Sequence, residues 1–295
     1  MAAVTIRPAR PGDKAAVSEL CAFIWDGEDY VPEVFDDWVA DTAGEFSLAF
    51  DGPQLVALGK LTEDAPDEWW LEGLRVHPDH RGQGLARLLH EHAVQLADRV
   101  GRGMLRFATA GTNAPVHALA QRTGFELVSR HYVARVDAAP RSPNTGFVPA
   151  AAEELPALRA WLAQSGYFTA AGSLMEDNWA WCALLPQLES LVQAGRVYWW
   201  PAGETPRAGL AIINDGDDEQ QTRLWVNYAD TTPDRWPLLW QELRQLGAAR
   251  GAETLRAKPL ASDEIAIALE IAGWQFEPDH TMWVFARSLP AAGRA

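Results

Sequence analysis

The stretch Val76-His77-Pro78-Asp79-His80-Arg81-Gly82-Gln83-Gly84-Leu85-Ala86-Arg87-Leu88-Leu89 carries the most information in this 295-residue chain. It reads as the end of a strand, a glycine-rich turn and the first turns of an amphipathic helix, with Leu85, Leu88 and Leu89 at helical spacing. A helix entered in this way offers unpaired N–H groups and the positive end of its dipole, which together suit a pyrophosphate. Without Cβ atoms, Gly82 and Gly84 let the backbone turn tightly and approach phosphate oxygens. A P-loop would need Gly-Lys-Ser/Thr at the helix entrance. A dinucleotide fingerprint would need G-x-G-x-x-G followed, after the next strand, by an acid. Neither is present.

Upstream, Trp69-Trp70-Leu71-Glu72-Gly73-Leu74-Arg75-Val76 has the character of a buried strand, and strict alternation puts Glu72, Leu74 and Val76 on one face. Gly73 marks a place for a bulge. Downstream the helix runs on through Leu96 and Val100, with Gly101 and Gly103 as its stop, and Met104-Leu105-Arg106-Phe107-Ala108-Thr109 reads as a short strand. Asn113 then opens another helix as its N-cap, Pro115 fits the first turn, and the segment closes on Gly124-Phe125. At the N-terminus, residues 4–9 read as a strand, and Asp13 reads as the cap of a helix carrying Val17, Leu20 and Ile24.

Arg81-Gly82-Gln83-Gly84-Leu85-Ala86 fits the pattern Q/R-x-x-G-x-G/A, and the Asn113 to Phe125 segment fits a second signature in the right order. Residues 4 to 136 thereby resemble the GCN5-related N-acetyltransferase (GNAT) superfamily. The resemblance implies an α+β fold: a mixed, mostly antiparallel twisted sheet flanked by helices, with its fourth and fifth strands splayed. It implies acetyl-CoA as co-substrate, with the pyrophosphate on Arg81, Gly82, Gln83, Gly84, Leu85 and Ala86. The pantetheine arm would pair with the backbone of Leu74, Arg75 and Val76, and Asn113 and His117 would lie beside the cofactor. By the same resemblance, the Val76 N–H polarises the thioester carbonyl; Glu72, further back along the same face, is the candidate base, whereas relatives with a Glu on the fourth strand often carry it where this chain has Trp70. A Glu72 that merely pairs with an arginine is the alternative reading. The acceptor is expected at Trp25, Asp26, Glu28, Asp29 and Tyr30, where acids flanked by aromatics suit a cationic amine. One departure is plain. Where many relatives carry a Tyr that protonates the departing thiolate, this chain has Ala120, leaving a water, His117 or Tyr132 for that role.

A formal net charge of −15 argues against nucleic acid as a partner. From Arg75 to Arg87 the sign reverses, with three arginines against one acid, as a polyanionic cofactor requires. No apolar run approaches membrane-spanning length, and no basic-then-apolar leader opens the chain, so a cytoplasmic protein without a membrane partner is expected, as monomer or homodimer. Cys21 and Cys182 sit in helical apolar patterns and read as buried free thiols. His77 and His80 have no third ligand at metal-site spacing, so no metal is expected.

Asp137 to Gly146 is rich in proline and small polar residues and reads as a linker, dividing the chain into domains 1–140 and 146–295. After it the order of elements repeats. Gly124-Phe125 recurs as Gly273-Trp274, an offset of 149, and the strand ending at Val76 has its counterpart in Leu224-Trp225-Val226-Asn227-Tyr228. The second domain is therefore read as a degenerate GNAT-like copy. The offset puts Pro233 in place of Gly84, and Thr231-Thr232-Pro233-Asp234 has no glycine. Proline has no N–H to offer a phosphate, and Asp230 and Asp234 would repel one. The pairs Trp69-Trp70 and Trp199-Trp200 read as core. The function expected is transfer of acetyl from acetyl-CoA to a primary amine of a small molecule or peptide, by direct attack in a ternary complex. The alternatives are a non-catalytic acyl-CoA-binding sensor, which the missing Tyr favours, and a tandem acetyltransferase of the mycothiol synthase type, whose active half is the other one.

Overall fold

The computed structural model describes residues 4–100, 102–139, 145–218 and 221–290. Gly101 and residues 140–144 of the expected linker lie outside the described residues. In chain order the elements are β1 (Thr5–Pro8), α1 (Lys14–Cys21), α2 (Val31–Ala40), β2 (Glu45–Asp51), β3 (Gln54–Ala65), β4 (Glu68–Val76), α3 (Leu85–Val100), β5 (Met104–Ala110), α4 (Ala114–Arg122), β6 (Glu126–Tyr132) and β7 (Ala134–Asp137). There follow β8 (Val148–Pro149), α5 (Leu155–Gln164), α6 (Gly166–Ala170), β9 (Leu174–Asp177), β10 (Ala180–Ala183), α7 (Leu184–Gln193), β11 (Val197–Ala202) and β12 (Thr205–Asp218). The chain ends with β13 (Gln221–Thr231), α8 (Trp236–Ala249), β14 (Thr254–Ala257), α9 (Asp263–Ile271) and β15 (Thr281–Ser288). Among the described residues no helix is long and apolar enough to cross a membrane.

The chain forms two compact units. One holds the residues up to Phe107, Pro115–Glu126 and the chain from Phe285 onward; the other holds Ala108–Ala114 and Leu127–Val284. The main sheets run β1-β2-β3-β4-β5-β15-β6 and β7-β14-β13-β12-β11-β8, both mixed and mostly antiparallel. Each sheet thus takes a strand from the opposite half of the sequence. A single cut between residues 140 and 146 does not separate the two sheets, because β7 precedes it and β15 follows it.

In the first unit, Val17, Leu20, Phe35 and Trp38 of α1 and α2 cover one sheet face through Phe46, Leu48 and Leu58, and Leu85 and Leu89 of α3 cover the other. Asp13 does not cap α1 with its side chain; its carboxylate accepts from the Arg10 amide and pairs with Arg7. In the second unit the repeat of strand, helix, strand and helix is β13, α8, β14 and α9. Trp199 packs under α5 and α7 while its neighbour Trp200 packs under α8, as adjacent residues of a strand must, so both are core. Cys21 and Cys182 are buried thiols outside any disulfide.

Asp230 departs from its expected role. It is 1% exposed, turned into the second unit, where the Ser165 hydroxyl (2.5 Å) and the Tyr228 hydroxyl (2.7 Å) both donate to its Oδ2. Burial outweighs those hydrogen bonds and raises its pKa to about 6. A carboxyl whose folded pKa exceeds its unfolded one stabilises the fold below the unfolded value, and that contribution is lost as pH rises through the folded value. Asp230 should therefore cost the native state about 3 kcal/mol between pH 4 and 7. Urea unfolding across that range should show the decline in the native chain and a flatter profile in Asp230→Asn; parallel profiles would show that the group is already as costly unfolded as folded.

Candidate active site

β4 pairs in parallel with β5 at Glu68↔Met104, Trp69↔Leu105 and Trp70↔Arg106, and among the described residues Leu71–Val76 run on without it. The splay therefore opens one strand residue before Glu72. On its other edge β4 stays paired with β3, where His77 N–H donates to Val56 O at 2.9 Å. Antiparallel ladders turn successive amides to opposite edges, so the Val76 N–H faces the open side.

The expected bulge is present and changes the face on which Glu72 lies. Leu58 pairs with Arg75 and Lys60 with Glu72, so β4 spends Gly73 and Leu74 against Gly59 alone. Gly73 has φ +64°, and a Cβ there would come within 2.5 Å of the Trp38 ring, so the position needs glycine on both counts. The extra residue shifts the alternation by one. Glu72 shares its face with Arg75, Lys60 and Leu58, toward α1 and α2, whereas Leu74 and Val76 pack with Leu85 and Leu89 of α3. The expectation that Glu72, Leu74 and Val76 share one face is thereby corrected.

Beyond β4, a single turn of 3-10 helix, Pro78–His80, leads into an exposed loop with Gly82 at φ +75° and Gly84 at φ +82°. Left-handed backbone at both positions is the conformation for which glycine carries no steric penalty. Leu85 anchors the head of α3 in the core. Among the described residues, none of the amides from Gly82 through Arg87 donates to the protein. This row of free N–H groups at the start of a 16-residue helix includes Gln83, Leu85 and Ala86. Of the three local arginines, Arg75 is held by Asp29 and Arg87 pairs with Glu91 at 3.3 Å, which leaves Arg81 as the exposed charge without an acid partner among the described residues.

The loop before α2 lies against the Glu72 face. Arg75 grips Asp29 with two hydrogen bonds, 2.8 and 3.2 Å, and its guanidinium stacks 4.3 Å from the Trp25 ring and 5.6 Å from that of Tyr30. Asp29 is buried, and its charge is already matched by Arg75. It therefore anchors the loop through Arg75 rather than standing as a free charge. Asp26 and Glu28 remain exposed, as does Trp25, with Trp25 and Asp26 in left-handed backbone (φ +47° and +57°) that turns the loop outward.

Glu72 is half-buried and accepts from the Thr62 hydroxyl at 2.5 Å. Burial raises its pKa, against the lowering influence of that bond and of Lys60 and Arg75. Tyr30 stands in the same environment: burial first, then the charge of Glu72, push its hydroxyl up to about 12, so it keeps its proton. The chemistry available is a carboxylate poised to take a proton, beside an open strand edge that offers an amide. Lys60, Asp41 and Thr62 belong to this cluster and were not singled out from the sequence. The lone Lys60 inside the apolar run Leu55–Leu61 was the signal that could have found them. Asn113 donates to Thr109 at 2.9 Å in the segment that clusters with the second unit, while His117, half-buried, tilts against Phe285 at 5.5 Å in the first. Ala120 is fully buried. Among the described residues no group of three His, Cys, Asp or Glu could hold a metal ion.

Residues 15–125, which carry this splay, loop and helix, match the Acetyltransferase (GNAT) family. Residues 15–125 thus form a GNAT-type domain. The human protein named Probable N-acetyltransferase 16 is 35% identical to it over 82 residues, 28% of this chain and 22% of that protein, so the similarity spans about a fifth of the relative. A GCN5-related N-acetyltransferase from Sphaerobacter thermophilus superposes over 99% of this chain and 98% of its own, with TM-score 0.62 and 15% identity. A glucosamine N-acetyltransferase region of a fungal multi-domain β-N-acetylglucosaminidase superposes over 97% of this chain and 38% of that one, with TM-score 0.63 and 12% identity. At such identities the likeness is one of fold, and it extends over both units of the chain.

The second unit repeats the splay, since among the described residues β13 runs on from Asn227 to Thr231 without β14, but it fills the gap and has no glycine loop. β13 and β14 pair from Arg223↔Thr254 to Val226↔Ala257, and the residues beyond are packed. Lys258, next after β14, is bonded to Glu176 of β9 at 2.6 Å with both side chains buried, and Trp179 lies 3.7 Å from its ammonium. The cavity beside them, about 10 Å³, holds at most one water. At the head of α8, Pro233 and Pro237 have no N–H, and Trp236 is buried.

Proposed function

We propose that this chain is an acetyl-CoA-dependent N-acetyltransferase whose single cofactor site lies in the first unit. The row of free amides from Gly82 to Arg87, beside the open edge of β4, is the observation that carries this reading. Acetyl-CoA would lay its pyrophosphate on those amides near Arg81 and its pantetheine arm along Leu74–Val76, as a substitute for the strand that β5 does not supply. The Val76 N–H would then meet the thioester oxygen. A neutral amine, held beside Glu72 by the loop that carries Trp25, Asp26, Glu28 and Tyr30, attacks the carbonyl carbon as Glu72 takes its proton, directly or through a water. The oxyanion that forms is stabilised by the amide, and its collapse expels the CoA thiolate. With Ala120 at the position of the usual donor, the thiolate takes its proton from water or His117.

The acceptor is a primary amine of a small molecule or peptide. Because Asp29 is matched by Arg75, selectivity for a cation would rest on Asp26 and Glu28. Acetyl-CoA turnover against a panel of diamines, amino sugars and peptides with free N-termini should give CoA release that depends on the amine. The buried Ala120 favours a second reading, a non-catalytic acyl-CoA sensor. Tight acetyl-CoA binding with no turnover on any amine of the panel would select it.

A further inference from the structure

Glu72 sits in a buried charge cluster that the transfer reaction does not explain. Lys60 is 2% exposed, between Leu58 and Thr62 on one face of β3, where it is the direct cross-strand partner of Glu72. Its ammonium is bonded to Asp41 and to the Leu61 carbonyl (2.7 Å). Asp41, which follows α2, also accepts from the Ala43 and Gly44 amides at 2.9 and 3.3 Å. A lysine is rarely held this dry unless its partner fixes it, and an aliphatic residue would fill the site without the cost of desolvating two charges.

We propose that Lys60 and Asp41 are positioning residues for Glu72: the pair fixes a partly compensated positive charge beside the carboxyl and so sets its charge state. The proposal rests on the reading of Glu72 as the base. The other groups facing the carboxyl are Thr62 from β3, which donates to it, Arg75 on β4, and Tyr30 on the loop before α2. Arg75 is ion-paired with Asp29, which the Cys21 thiol of α1 also contacts. Trp38 of α2 closes the cluster over Gly73 with an apolar ring. The lysine is therefore the charge in direct cross-strand register with Glu72, and Asp41 is the group that moderates it. The arrangement has two opposed effects. Lys60 favours the carboxylate, while Asp41 disfavours it and keeps the group basic enough to accept a proton from an amine.

The two effects can be separated by sign. Lys60→Met keeps the stem and removes the charge; Asp41→Asn keeps an oxygen for the Ala43 and Gly44 amides and removes the opposite charge. Carboxyl carbon resonances of glutamate-labelled full-length protein, with that of Glu72 assigned by its loss in Glu72→Gln, report the titration directly. The midpoint of Glu72 is expected to rise by about one pH unit in Lys60→Met and to fall in Asp41→Asn, with Lys60→Arg close to the native chain. If Lys60→Met does not fold, the downward shift in Asp41→Asn decides the matter alone. A midpoint unmoved in the folded variants, or moved in the same direction by both, would overturn the proposal. The titration needs no turnover, so it stands apart from the test of Glu72 as base: native kinetics in Glu72→Gln would defeat that role and leave the charge coupling measurable.

Discussion

Gly84→Pro should lower acetyl-CoA affinity by about 10²-fold or more in a chain that remains folded. Gly84 holds φ +82°, which a pyrrolidine ring near −65° cannot adopt, so the turn must be rebuilt and the amide at the centre of the row is lost. The loop is exposed and a Cβ at Gly84 would meet nothing within 4 Å, so the damage should stay local. Amide to phosphate bonds are charge-assisted and each contributes about 1.5–3 kcal/mol, so losing one and displacing a second accounts for the expected factor. Gly84→Ala should do less, because only the left-handed conformation is penalised, by about 1–2 kcal/mol. Calorimetry on variants with native circular dichroism measures both. An affinity for acetyl-CoA unchanged in Gly84→Pro would remove the loop from the site.

Glu72→Gln should lower kcat by about 10²-fold or more and leave acetyl-CoA affinity nearly as it was, the size expected when a general base is lost. Glutamine preserves the bond from Thr62 and the shape of the pocket, so packing is not the variable. The pH profile gives a second reading. Burial raises the Glu72 pKa, and a base works only when deprotonated, so activity should fall with decreasing pH through a limb that lies above the ordinary glutamate range. An arylamine, which is itself neutral across that range, would expose the limb without the ionisation of the acceptor. In Glu72→Gln the limb should vanish. Its persistence there would assign it to another group.

The parts of this molecule legible in the sequence were those written in local periodicity. The loop from Arg81 to Ala86, the strand before it and the helix after it, and the repeated order of elements after residue 146 each depend on residues within a turn or two of one another. What was not legible depended on registers and distant partners. Gly73 marked the bulge, but only the pairing of Lys60 with Glu72 and Leu58 with Arg75 shows that the bulge turns Glu72 away from Leu74 and Val76. Asp29 and Arg75 are 46 residues apart, and each alone reads as a free charge. Asp230 looked like a surface acid at the edge of a failed cradle, yet Ser165, 65 residues earlier, holds it in the interior. The placement of β15 in the first sheet and β7 in the second has no local signature, since a short apolar strand fits either.

Because the two units differ at the head of the helix that follows the splayed strand, the stoichiometry of acetyl-CoA binding to the full chain is the decisive measurement. The first unit presents free amides and an open strand edge; the second presents prolines at the head of α8 and a gap packed by Lys258, Glu176 and Trp179. Isothermal titration should give one acetyl-CoA per chain, and none in Gly84→Pro at the same concentrations. Two sites per chain, or one site that survives Gly84→Pro, would place cofactor binding in the second unit and contradict the account.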